Sequence, residues 1–358
     1  MSRTFVIAEV GSNWRDGPAD PTADLSRAIR LIAVCAEAGA DAVKFQAFAA
    51  APVYAIGAGQ AEYLSSRGET RSINEVFNDL ALPPEWYPIL ARECENAGVE
   101  FMASVFSPAD VDAVDPFVKR HKIASYELGD LALARSVAKK KKPVILSTGA
   151  ATWEEIRRAA EYMDENGVRD LTLLHCVAAY PAPPDQCNLC VIGGRSQTYG
   201  LSWLTGLSDH TTDPILAPVI AVARGATAIE KHVTLDRRCK GPDHAFAVMP
   251  DELRGMIQAI RTTEIMLGSD NKIVMPCEEA LRIFACRAVQ ATREIVAGEK
   301  IEAEGPEANV APLRPGMQTP GVSPATLPFM RGYVAKHKIP AGAGVRWEDL
   351  DRALEGAP

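Results

Sequence analysis

His210 and His232 are the residues of this chain with the clearest chemical meaning. His210 ends the run Leu204–His210 in GLSDHT, and His232 lies in AIEKHVTLD. Both runs are apolar and read as buried parallel strands. Two imidazoles at the same end of neighbouring strands form a candidate divalent-metal site, with Asp209, Glu9 or Glu230 available to complete the shell or orient a ring. Imidazole with oxygen ligands suits Mn, Fe, Co or Zn better than purely oxygen-bound Mg. Lys44, Ser104, Lys122, Ser125, Ser147 and Ser208 sit in or beside other apolar runs. Buried lysines call for an anion, and the turn Ser147–Ala150 leading into a helix offers backbone N–H groups to one. Lys122 and Ser125 are out of phase on a strand, so both reach one ligand only if a strand end or bulge intervenes. Glu9, Gln46 and Lys44 fall at in-phase positions facing an interior. Asp243 of GPDHAF follows the eighth run and suits sugar hydroxyls or, alternatively, a plain turn. Tyr180 in AAYPAP is a candidate substrate wall. This set points to a metal- and phosphate-dependent enzyme.

Eight short runs must position these groups: Phe5–Gly11, Ala42–Phe48, Glu100–Phe106, Lys122–Gly129, Pro143–Gly149, Leu171–Val177, Leu204–His210 and Ala226–Thr234. Helical periodicity fills most gaps, as in Asp24–Ala38, Pro84–Ala97, Pro108–Val118, Thr152–Asn166 and Pro214–Arg224; the gap 178–203 is the least regular. Eight β–α units in about 250 residues predict a (β/α)8 TIM barrel, whose reacting groups stand at the C-terminal strand ends. A doubly wound sheet is the alternative, but no GxGxxG follows the first strand. Residues 49–83, with Tyr54, Tyr63 and Arg67, are too long for an ordinary βα connection and predict a partial lid. The barrel is expected to span 1–267, a linker 268–283, and a small β-rich unit 284–358. In that unit EIVAGEKI (294–301) and KIPAGAGV (338–345) share an I-x-x-G phrase.

The 358 residues carry a formal charge of -8, which argues against a nucleic-acid partner. An anionic substrate must therefore be held by local positive charge. The run Lys139–Lys142 reads as a solvated helix end. The N-terminal apolar stretch is short and contains Glu9, unlike a signal peptide, and no run reaches membrane-spanning length. A cytoplasmic protein with eight thiols is expected. Cys35 and Cys94 read as core residues, and Cys187 with Cys190 as a lone, weak CxxC signal.

Taken in order, FVIAEVGSN, DAVKFQAF, KIASYELGD, KPVILSTGA, LLHCVAAYPAP, GLSDHT, AIEKHVTLD and GPDHAF resemble the sialic acid (N-acetylneuraminate) synthase family over nearly the whole chain. LRPGM, GVSP and the I-x-x-G phrases resemble its antifreeze-like (SAF) C-terminal domain. The resemblance implies a transferase condensing phosphoenolpyruvate with an N-acylated hexosamine. Legionaminate- or pseudaminate-type synthesis from a diacetamido-dideoxy hexose, or an inactive sugar-binding homologue, are the alternatives. It also implies a homodimer with swapped C-terminal domains and a divalent ion, manganese first, with magnesium or cobalt as alternatives. By motif, His210 and His232 match metal ligands. Lys44, Ser104, Lys122, Ser125, Ser147 and Ser208 match the phosphoenolpyruvate pocket. Glu9, Gln46, Tyr180 and Asp243 match positions near sugar or metal, and Arg314 matches an arginine reaching the N-acyl group from the other subunit. Trp14, Ala178 and Ala247 depart from the family pattern, and the segment after Arg314 is longer than usual; these departures are expected at the sugar side.

Overall fold

Eight parallel strands close on themselves in sequence order, β1 through β8. The structure is a computed structural model describing residues 3–48, 53–61, 64, 69–193 and 204–353. The chain divides into two compact units, Met1–Gly268 and Ser269–Pro358. In the first, β1 (Phe5–Gly11), α1 (Pro21–Ala38), β2 (Ala42–Ala47), α2 (Ile73–Leu80), α3 (Tyr87–Asn96), β3 (Glu100–Val105), α4 (Pro108–Val114), β4 (His121–Ile123), α5 (Leu131–Lys139) and β5 (Val144–Ser147) follow in order. Then come α6 (Trp153–Glu165), β6 (Leu171–Cys176), β7 (Leu204–Asp209), α7 (Leu216–Ala223), β8 (Ala228–His232) and α8 (Pro250–Leu267).

The helices start where side chains or prolines satisfy free N–H groups. Asp20, Ser107 and Asp130 accept from the first turns of α1, α4 and α5, while Thr152 and Glu155 form a reciprocal capping box on α6. Pro108 stands in the first turn of α4, where its missing N–H costs little. The lysine run does close a helix: α5 ends at Lys139, and Lys142 reaches the Val118 carbonyl at 2.9 Å.

Alternation along the strands sorts side chains into two sets. Val6, Ala8, Val10, Val43 and Phe45 join the large outer core beneath the helices. Ile7, Ala42, Met102, Ile145, Leu174 and Ala228 form a separate apolar layer inside the barrel. One step further along the same faces stand Glu9, Lys44, Ser104, Lys122, Ser147, Ser208 and Glu230. The ring is therefore dry below and polar above, as the strand periodicity requires.

One expectation needs correction. The fourth strand is not the long run Lys122–Gly129; it stops at Ile123, and Ser125–Glu127 form a 3-10 turn. This turn is what frees Ser125 from strand phase. The segment after β2, expected as a partial lid, contains α2, capped reciprocally by Ser72 and Glu75. Phe48, Leu64, Ile73, Val76 and Leu80 pack together there with Tyr54, Phe77 and Phe106. Tyr63 and Arg67 lie outside the described residues, as do 194–203.

The second unit contains α9 (Glu279–Ala285) and two antiparallel pairs, β9 (Ala288–Ala291) with β10 (Val310–Leu313), and β11 (Tyr333–Ala335) with β12 (Leu350–Arg352). The two I-x-x-G phrases face each other. Ile295 and Ile339 exchange backbone hydrogen bonds of 2.9 and 2.8 Å. Gly298 and Gly342 both take positive φ (83° and 79°), and their N–H groups reach Ala335 and Ala291 at 2.7 and 2.8 Å. The sequence repeat is thus a local two-fold built around matched glycine turns.

Two glycines separate barrel packing from helix propensity. A methyl on Gly206 would lie 2.4 Å from the Ala228 carbonyl oxygen and 2.6 Å from Leu174 Cδ2, whereas one on Gly255, within α8, meets nothing within 4 Å. Gly206→Ala is expected to destabilise by about 1–3 kcal/mol, and Gly255→Ala to stabilise by about 0.5–1 kcal/mol. Urea unfolding of both variants checks the opposite signs.

Candidate active site

The polar layer inside the barrel is a connected set of charges. Lys44 pairs with Glu9 and lies 3.6 Å from Glu230, while Lys122 lies 3.8 Å from the other oxygen of Glu230. Lys44 donates to Ser104 Oγ at 3.0 Å, and Lys122 to Ser147 Oγ at 2.8 Å. Ser208 Oγ donates to Glu230 Oε1 at 3.0 Å, and Gln46 Nε2 to Glu9 Oε1 at 2.9 Å. Register explains the meeting. Glu9 is level with Lys44 and His232, Ser104 with Lys122, and Ser208 with Glu230.

Burial sets the protonation of this layer. Desolvation raises the Glu9 carboxyl, and the attraction of Lys44 offsets only part of that. Burial works the same way on Glu230, but Lys122 and Lys44 outweigh it and hold Glu230 below the usual range. Lys44 is disfavoured by burial yet held above its ordinary value by Glu230 and Glu9. Lys122 is pulled below its ordinary value by burial. The layer therefore has one firmly ionised carboxylate between two lysines and a second carboxyl, Glu9, pushed up to about 7, where it can both hold and take a proton. Local charge favours an anion despite the net -8 of the chain.

Above this layer the two imidazoles come together. Their ring centroids are 5.5 Å apart with no packed hydrocarbon layer intervening at that distance. His210 Nδ1 lies 2.8 Å from the Val177 carbonyl, so it donates there and leaves Nε2 free. His232 Nδ1 is buried with no hydrogen-bond partner among the described residues. Burial, His210 and the lysines push the His232 pKa well down, which favours the neutral ring a cation needs. Tyr180 packs on His210 at 4.3 Å and Phe246 on His232 at 5.0 Å. These features fit a cation held by two nitrogens.

The expected third ligands do not join them. Among the described residues no group of three or more His, Cys, Asp or Glu side chains is placed to share a metal. Asp209 points to the opposite face of β7, where it pairs with Lys231 at 2.6 Å and accepts from Thr211. Strand alternation makes this inevitable, because Asp209 neighbours His210 in sequence. Glu9 and Glu230 are engaged by lysines in the layer below.

A cavity of about 780 Å³ opens beside His232, lined at its inner end by Ser12, Gln46, Tyr180 and Asp243. Asp243 accepts from Ser12 Oγ at 3.0 Å, and burial raises its pKa. Gly11 (φ +53°) closes β1 here. A methyl on it would lie 3.0 Å from Asp243 Oδ2 and Glu9 Oε1, and 3.2 Å from Gln46 Nε2. Only glycine lets these three groups converge. Ser125 sits at the end of β4 and accepts from the Gly149 N–H at 2.9 Å, which joins it to the turn carrying Ser147. Ala178 lines the cavity. Trp14 does not: it is buried in the outer core against Trp86 at 5.5 Å, with Arg15 4.9 Å over its ring. Ala247 is fully buried. Arg314 belongs to the second unit, exposed just after β10.

Two groups escaped the sequence reading. Glu127 lines the cavity, its Oε2 buried without a hydrogen-bond partner, and burial pushes its pKa up to about 7. Its signal was hidden because it was assigned to a strand that ends before it. Cys176 lies 3.8 Å from His210 Nδ1, in phase with the polar layer and level with Ser208. Strand alternation from Leu174 could have found it.

Comparison with known proteins places this geometry. The NeuB family model matches residues 31–272. The chain is 36% identical over 361 residues to the spore coat polysaccharide biosynthesis protein SpsE of Bacillus subtilis, covering 97% of this chain and 93% of that one. It is 33% identical over 353 residues to the N,N'-diacetyllegionaminic acid synthase of Legionella pneumophila, with 97% and 94% covered. The crystal structure of a putative spore coat polysaccharide biosynthesis protein E from Chromobacterium violaceum superposes with a TM-score of 0.74 at 28% identity, over 98% of this chain and 100% of that one. The chain belongs to the NeuB family.

Proposed function

We propose that this protein condenses phosphoenolpyruvate with the open-chain aldehyde of an N-acylated hexosamine, giving phosphate and a nine-carbon 3-deoxy-2-keto (nonulosonic) acid. The observation that carries this reading is the stacking of two imidazoles directly above a lysine- and serine-lined layer inside a closed barrel. Membership of a family that includes a diacetyllegionaminic acid synthase supports it.

His210 Nε2 and a nitrogen of His232 would hold a divalent cation, manganese first. A cation so held supplies Lewis-acid polarisation of the acceptor's carbonyl oxygen. Lys44, Lys122, Ser104, Ser125, Ser147 and Ser208 would bind the phosphate and carboxylate of phosphoenolpyruvate. Glu230, fixed between the lysines, keeps both ammoniums in place before the anion arrives. C3 of phosphoenolpyruvate forms the new bond to the aldehyde carbon. Water adds at C2, ionised Glu9 taking one of its protons. The former aldehyde oxygen gains a proton to become a hydroxyl, and the C2–O bond to phosphate then breaks as the C2 hydroxyl loses its proton to leave the ketone. Gln46 and Asp243 would orient the acceptor's hydroxyls, with Tyr180 as a wall. Positioning two substrates over fixed charge is the main source of rate.

The C-terminal unit is read as an antifreeze-like domain that covers the site of a second copy in a swapped homodimer, bringing Arg314 to the N-acyl group. Exposed apolar side chains near the boundary of the units, including Ile265, Met266, Ile273 and Phe284, support association. Eight free thiols, three of them exposed, support a reducing, cytoplasmic setting. Among the described residues no helix is long and apolar enough to cross a membrane.

Two outcomes follow. With phosphoenolpyruvate, Mn2+ and a panel of N-acylated hexosamines, phosphate release is expected, falling at least about hundredfold after exhaustive chelation and returning with Mn2+. Release that survives chelation refutes the cation's role. For Glu127, burial keeps in the folded state a proton that the unfolded chain loses near 4.5. Its stabilising contribution is complete below 4.5 and lost as pH rises through about 7. Glu127→Gln should therefore gain in melting temperature relative to the parent by a few degrees between pH 5 and pH 8; an unchanged difference contradicts the assignment.

A further inference from the structure

One buried imidazole has no part in the chemistry above. His244 stands next to Asp243 in GPDHAF and is 1% exposed. Its ring bridges two loops. Nε2 lies 2.8 Å from the Arg15 carbonyl, in the loop after β1, and Nδ1 lies 2.7 Å from Thr234 Oγ1, just after β8. A carbonyl can only accept, so Nε2 carries the ring proton and donates to it. Burial pulls the His244 pKa below its ordinary value, outweighing the Arg15 carbonyl and the nearby Asp243 and Asp16 carboxyls. The ring is therefore neutral, and the Thr234 hydroxyl donates to the lone pair on Nδ1. One tautomer satisfies both contacts.

Both ends of this bridge are anchored. The Arg15 guanidinium lies 2.9 Å from Asp24 of α1 and 2.9 Å from Asp79 of α2, so the residue that offers its carbonyl is fixed from its far side. Thr234 follows β8 directly, and its N–H donates to the Val248 carbonyl at 2.9 Å. A methyl on Gly241 would lie 2.9 Å from His244 Cδ2 and 3.2 Å from Nε2, so the ring sits this close to its own loop only over a glycine. The two loops meet again where the Gly17 N–H donates to the Lys240 carbonyl at 3.3 Å, and where the Ser12 hydroxyl donates to Asp243 at 3.0 Å. Ser12 thus holds the Asp243 carboxyl at its tip, while His244 holds the backbone beside it. Two such points fix the aim of a side chain where a single hydrogen bond leaves a pivot.

We propose that His244 is a positioning residue for acceptor binding: its Nε2–H, held on the Arg15 carbonyl, fixes the loop that carries Asp243 so that the carboxyl is aimed into the cavity. This rests on the condensation reading above, in which Asp243 orients the acceptor's hydroxyls. The imidazole acts through Asp243, and Thr234 serves to hold its tautomer.

Two amides separate the ring's two contacts. Gln places its amide nitrogen near the position of Nε2 and keeps a donor to Arg15, whereas Asn places its amide near Nδ1 and keeps only the Thr234 contact. Phosphate release is measured with Mn2+, phosphoenolpyruvate and the N-acylated hexosamine of the panel above that the parent turns over fastest. In His244→Asn the acceptor's kcat/KM is expected to fall about 10- to 100-fold, through KM more than kcat, with the KM for phosphoenolpyruvate unchanged. His244→Gln should restore most of the loss. Equal losses in the two variants, or a loss shared by both substrates, point to a merely structural ring and overturn the proposal. So does a parent-like acceptor KM in His244→Asn. Independently of turnover, nitrogen NMR of the Mg2+-loaded parent with 15N-labelled histidine should show His244 protonated at Nε2 and bare at Nδ1, assigned by its loss in His244→Gln. A proton on Nδ1 overturns the bridge even if neither variant folds. Phosphate from no acceptor refutes the condensation, and the acceptor role of His244 falls with it, while the nitrogen spectrum still decides the bridge.

Discussion

The interaction on which the structure turns is the contact of Glu230 with two lysines inside a closed barrel. Charges so buried are tolerated only when each has partners. Here every partner comes from a different strand: Glu9 from β1, Lys44 from β2, Ser104 from β3, Lys122 from β4, Ser147 from β5, Ser208 from β7 and Glu230 from β8. Opening the ring at any point would strand a charge in a low-dielectric interior. The dry layer of Ile7, Met102, Ile145 and Leu174 below makes that constraint sharper, because water has no route from underneath. Closure and polarity are thus one requirement, and the same layer that demands closure is the one suited to an anion.

The outer faces of β7 and β8 carry a second buried pair, Asp209 with Lys231, and Lys231 also donates to the Thr211 carbonyl. It ties the ends of two strands whose inner faces bear the imidazoles. Alternation sends Asp209 and Lys231 outward and His210 and His232 inward, so adjacent residues serve opposite sides of one wall. The histidines are held from behind by an ion pair and from above by the rings of Tyr180 and Phe246. Such support fixes the orientation of both rings.

Much of this was legible in the chain because period-two alternation in strongly apolar runs is hard to disguise. All eight strands begin within two residues of the runs read from sequence, and Lys44, Ser208, Glu230 and His232 fell into phase on their own strands. Three things were not legible. The end of β4 was misread because Ser125–Glu127 continue an extended-looking pattern but turn as a 3-10 segment, which hid Glu127. The role of Asp209 was misplaced because chemistry, not strand phase, was used to recruit it. Trp14 was assigned to the sugar side by its place in a motif, whereas its size and Trp86 draw it into the core. Local chemistry is read well by residue type, but the side of a wall on which it acts is decided by geometry one residue at a time.

The central claim is that both imidazoles grip one cation next to bound phosphoenolpyruvate. Pulsed electron paramagnetic resonance of the Mn2+-loaded protein tests it most directly. Two imidazole nitrogen couplings are predicted, one lost in His210→Ala and one in His232→Ala, with a phosphorus coupling gained when phosphoenolpyruvate is added. A manganese signal without nitrogen coupling, or one unmoved by both substitutions, would contradict the account.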